Sequence, residues 1–129
     1  MANNTAWTQS GLTINSDSPQ YKVGFITFPA TSIVTTDYTV QTVGFTPRYV
    51  QWCDVTSRIQ IEWFEGMAAD TCIKTAANGT RTIETTNLGI TICDSDGTAN
   101  TKGRYFKVSQ NATLAAILAS EIIHWNAVG

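Results

Sequence analysis

Along most of this chain apolar and polar residues take turns one by one, which is the period of an extended strand and not of a helix. The clearest case is "RIQIEWFEG" (58–66), where Ile59, Ile61 and Trp63 fall on one side and Arg58, Gln60 and Glu62 on the other. Such a segment predicts a half-buried strand with one face in the core and one face wet or in contact with a neighbour. The same reading applies to 5–14, 21–28, 38–45, 48–55, 71–76, 80–86, 89–94, 104–109 and 121–128, all short and rich in Thr, Val, Ile and aromatic residues. Between them lie "NSDSP", "FPATS", "TP", "AANGT", "SDGTANTKG" and "SQNA", which carry the Gly, Pro, Asn and Asp of turns. About ten short strands punctuated this closely predict an all-β fold, a sandwich or barrel.

Local pairings follow from the same pattern. Two strands meeting at "DVTS" set Trp52 and Trp63 near each other across a hairpin, and Asn78–Gly79 predicts a two-residue hairpin turn between 71–76 and 80–86. One segment breaks the alternation: in "NATLAAILASE" (111–121) Leu114, Ile117, Leu118 and Glu121 recur at helical spacing among alanines, predicting a short helix near residues 112–120. Few apolar residues occur in the first twenty positions. Residues 1–20 therefore form an N-terminal arm and 21–129 a β-sandwich domain, with Trp7 an anchor for a neighbouring protein.

Composition narrows the functional classes. Threonine supplies 21 of the 129 residues, and charged residues only 14%, against about 25% in ordinary soluble domains. Part of the surface is thus expected to meet protein and not water. With a net charge of −2 and its eight Lys and Arg scattered, the chain lacks the basic face that a phosphate backbone requires, so no nucleic-acid partner is expected. No charged-then-apolar leader opens the chain and no apolar run is long enough to cross a bilayer, so synthesis in the cytoplasm and no membrane partner are expected.

Chemistry is sparse. Cys53, Cys72 and Cys93 contain no C-x-x-C pair and the chain has a single histidine, His124, so the cysteines read as buried free thiols and no metal or other cofactor is expected. Glu62 and Glu65 are three apart in a strand-like run and point to opposite faces, which prevents them from acting as a carboxylate pair. "DSDGTANTKG" has Ala99 and Tyr105 where a calcium-binding loop of the EF-hand type needs Gly and Glu, and reads as a strand connection. No nucleophile signature surrounds any cysteine, and no enzymatic activity is expected.

"VGFTPRYVQWCDVTSRIQIEWFEGM" (43–67), "IKTAANGTRTIETTNLGITI" (73–92) and the terminal "IIHWNAVG" follow one another in an order that resembles small virion proteins of tailed bacteriophages and prophages. The resemblance covers residues 43–129, and "NATLAAILASE" departs from it where a shorter turn is expected. It implies a jelly-roll-like β-sandwich acting as a structural part of the particle: a capsid decoration, or cement, protein on the outer head surface, bound to the major capsid protein and self-associated as a homotrimer. Contact residues are then expected in the arm, at Trp7 and Leu12, and among outward positions at Arg48, Arg58, Glu62 and His124. The alternatives are a tail-fibre or receptor-binding module that reads carbohydrate with Trp and Tyr faces, and a head-completion or tail structural protein.

Overall fold

The computed structural model describes residues 20–29, 38–86, 88–109 and 120–129. These contain nine strands and no helix: β1 (Tyr21–Thr27), β2 (Tyr38–Thr42), β3 (Tyr49–Asp54), β4 (Ile59–Phe64), β5 (Cys72–Thr75), β6 (Arg81–Glu84), β7 (Ile90–Cys93), β8 (Tyr105–Ser109) and β9 (Ile122–Val128). Each of the nine alternating segments that fall within the described residues has become a strand. The predicted strand at 5–14 and the arm with Trp7 and Leu12 lie outside the described residues, as does the predicted helix except for Ser120, which forms a turn.

All pairings are antiparallel. One sheet has six strands in the order β1-β9-β3-β4-β5-β6, the other three in the order β2-β8-β7. The strands from β3 to β6 run as a meander, and β9 enters between β1 and β3, so the last strand of the chain lies one strand in from the edge of the larger sheet. The two sheets form a β-sandwich, as the turn spacing predicts.

Alternation decides what fills the space between the sheets. On β3 Val50 and Trp52 point inward, on β4 Ile61 and Trp63, on β9 Ile123, Trp125 and Ala127, and all are buried. The smaller sheet answers with Phe106, Val108, Ile90 and Ile92, also buried. Phe106 is wedged between two indoles, its ring 6.1 Å from that of Trp52 and 5.0 Å from that of Trp125, edge-on to both. Edge-to-face ring pairs of this kind contribute about 0.5–1.5 kcal/mol beyond the area they bury. Trp52 and Trp63 share the core face but are diagonal neighbours, since Trp52 pairs with Ile61 and Val50 with Trp63.

One expectation about a turn is corrected. The Asn78–Gly79 turn is not a two-residue turn: Gly79 N–H donates to the Ala76 carbonyl at 2.8 Å, Ala76 N–H to Thr80 at 2.9 Å, and only Gly79 has positive φ, 89°. That is a type I turn closed by a glycine bulge. Asp94 to Thr98 repeats it with Gly97 at φ 87°, which is why "DSDGT" connects strands. Gly24 pairs with Trp125, and a Cβ on it would stand 2.5 Å from that indole; hydrogen in place of a side chain is what makes room for the ring against β1.

Candidate interaction surface

Every second residue of the six-stranded sheet points away from the core, and the pairing register aligns these residues into one continuous face. On the β1 side Tyr21, Val23 and Phe25 stand opposite Val128, Asn126 and His124 of β9. Tyr21, Val23, Phe25, Ile122 and Val128 are all exposed, Phe25 to 72%. At the far side Ile83 of β6 is equally bare at 72%, and Phe64 lies between, packed on Tyr49 with ring centres 4.9 Å apart. Scattered single apolar residues are normal on a protein surface, but here they stand side by side on one face of the β1–β9 pair.

Between the apolar flanks runs a polar belt whose groups are mutually satisfied. Asn126 Nδ2 donates to Gln51 Oε1 at 2.7 Å, Tyr49 Oη–H to Glu62 Oε2 at 2.8 Å, and Arg81 to Glu62 Oε1 at 3.3 Å. Burial, reinforced by the Glu62 carboxylate, drives the Tyr49 phenol far above its usual range, so it stays a neutral donor. His124 lies on the same face and stacks on Phe25 with ring centres 5.9 Å apart. A surface of this composition gives up little hydration when covered.

Of the expected contact residues, Glu62 and His124 lie on this face. Arg48 does not: it sits at the edge just before β3, where its guanidinium holds Glu65 through two bonds of 2.9 and 3.1 Å. Arg58 is not a strand residue but the last position of the β3–β4 turn, exposed and with φ 59°. The exposed row on β1 escaped the sequence reading because "YKVGFITF" is apolar on both faces. On the inward side Ile26 and Phe28 pack against the core, and at Gly24 the Trp125 indole leaves no room for a side chain.

The same face carries Cys53, which is half-exposed and not the buried thiol its composition suggested, because Trp52 beside it takes the inward position. It pairs with His124 across β3 and β9. Burial and the charge of Asp54 push its thiol up in pKa, the reverse of what an activated nucleophile needs. Cys72 and Cys93 are buried, their thiols pushed up to about 12 and about 11 by desolvation.

Elsewhere, Asp94 Oδ1 accepts from Asn100 Nδ2 at 2.9 Å and Asp96 Oδ1 from the Thr98 N–H at 2.9 Å, and that second bond holds the Asp96 carboxyl below its usual range. Both acids are thus turn-forming groups. No cluster of three or more metal-ligating side chains occurs among the described residues, and no helix among them is long and apolar enough to cross a membrane. A small apolar cavity of about 140 Å³ opens beside Trp63, Met67 and Ile92, below the ~300 Å³ of a typical small-molecule site. Compared with known proteins, the chain matches no family model, no curated protein and no solved structure.

Proposed function

We propose that this chain is a capsid decoration protein of a tailed phage, a structural component that docks on the outer head surface, associates with itself there as a homotrimer and ties neighbouring major capsid protein subunits together. The observation that carries the reading is the outer face of the six-stranded sheet: apolar at both flanks, with the Glu62 and Arg81 charges it presents paired to each other. Such a face suits burial against protein. The resemblance of residues 43–129 to small phage virion proteins supplies the kind of particle.

The mechanism involves no reaction. Each copy adds buried area across a joint between coat subunits, and a modest contact repeated over a symmetric shell resists internal pressure through its number. A carbohydrate-reading role draws less support, because Trp52, Trp63 and Trp125 are committed to the core and leave no indole among the described residues for a sugar platform. Particles assembled without the protein should release DNA at lower temperature and after milder osmotic shock than complete particles. Equal resistance of the two would contradict the cementing role, and binding of the isolated protein to glycans would move it to the tail.

A further inference from the structure

Asp54 and Glu121 form an unusual pair. Asp54 ends β3 on its core side and is 1% exposed, while Glu121 immediately precedes β9 and is 5% exposed. Asp54 Oδ1 accepts the N–H groups of Thr56 and Ser57 at 3.0 and 2.9 Å, and the Ser57 hydroxyl donates to Glu121 Oε1. The other oxygen of each, Asp54 Oδ2 and Glu121 Oε2, is buried without a hydrogen-bond partner among the described residues. Two carboxylates cannot both remain ionised in such a place without a counter-charge, since each would carry an uncompensated desolvation penalty.

We propose that Asp54 and Glu121 hold a single proton between Oδ2 and Oε2, and that this proton closes a clasp between the β3–β4 hairpin and the start of β9 that loosens when rising pH removes it. The surroundings are built as a clasp. Val55 N–H donates to the Ile122 carbonyl at 3.0 Å, Ile122 N–H returns a bond of 3.0 Å to Thr56 Oγ1, and Phe28 N–H reaches the Glu121 carbonyl at 3.0 Å, so β1, β9 and the hairpin meet at this point. Burial, with the Glu121 charge beside it, raises the Asp54 carboxyl.

Other ionisable groups nearby are turned elsewhere. Cys53 and His124 belong to the opposite sheet face, Arg58 is exposed in the turn, and Asp70 near the smaller sheet accepts from Ser109 Oγ at 3.0 Å. Among the described residues, Glu121 is the ionisable group whose charge raises Asp54. A divalent cation is the other way to neutralise the pair, but calcium takes about six to eight oxygens, whereas here two carboxylates and one serine hydroxyl are offered and Asp54 Oδ1 already accepts two backbone N–H groups.

The sign follows from linkage. A carboxyl held above its unfolded value favours folding below that unfolded value and loses its contribution as pH rises through the folded one. The experiment is thermal unfolding of the full chain between about pH 5 and pH 8 for the parent, Asp54→Asn and Glu121→Gln, with and without calcium or magnesium. Each amide keeps the size of the carboxyl, and that at 54 can still accept from Thr56 and Ser57. The parent should lose roughly 3 °C or more relative to either variant across that interval; taking the difference removes effects common to all three proteins. Parallel curves overturn the shared proton, and so does a metal-dependent rise in Tm confined to the parent. Should both variants fail to fold, carboxyl ¹³C NMR of the parent decides: a carboxyl titrating well above the ordinary carboxylate range supports the clasp, and none doing so overturns it.

Discussion

Gly24 shows how one absent side chain shapes the sandwich. It faces the Trp125 indole across the β1–β9 pairing, with no room for a methyl group. Gly24→Ala is therefore expected to destabilise the protein by about 1–3 kcal/mol, the usual cost of overpacking, read as a drop of several degrees in Tm. An unchanged Tm would mean that the ring moves aside freely. The alternation in "VGF" places Gly24 on the inward side, but what it opposes depends on a strand about a hundred residues later, and no local pattern carries that information. Cys53 is a different case: its outward direction was legible from Trp52 next to it, and reading the residue by its composition hid it. The carboxyl pair of Asp54 and Glu121 joins two residues of unremarkable local context, and only the β3–β9 pairing brings them together.

At the scale of elements, the period of two found nine strands because Thr, Val, Ile and aromatic residues suit a pleated half-buried surface and the turn residues separate them cleanly. Turn geometry was less legible. Asn-Gly fits both a two-residue turn and a type I turn with a glycine bulge, and the partner strand decides. The hydrophobic pattern also left open which strands share a sheet, so the wedge of Phe106 between Trp52 and Trp125 could not be foreseen. That wedge joins the two sheets, and Phe106→Ala should cost about 3–5 kcal/mol by leaving a cavity between two indoles that cannot collapse. Denaturant unfolding measures this directly; a loss below about 1 kcal/mol would show that the sheets are held together elsewhere.

For the molecule as a whole, the low charge of the sequence led to the expectation of a surface that meets protein, and in the fold exposed apolar residues of β1 and β9 gather on one face. Among the expected contact residues Glu62 and His124 lie on it, while Arg48 is engaged with Glu65 and Arg58 projects from a turn. The exposed row of Tyr21, Val23 and Phe25 is the stronger feature. An arm at 1–20 would add contacts of its own on the decoration reading.

The most direct test of that reading is the position and number of copies in the particle, obtained by cryo-EM of the intact virion. Hundreds of copies are expected over the outer head at the joints of coat subunits, with the β1–β9 face covered by neighbouring protein. A ring of about a dozen copies or fewer at the neck or tail, or head-bound copies that turn this face to solvent, would contradict it.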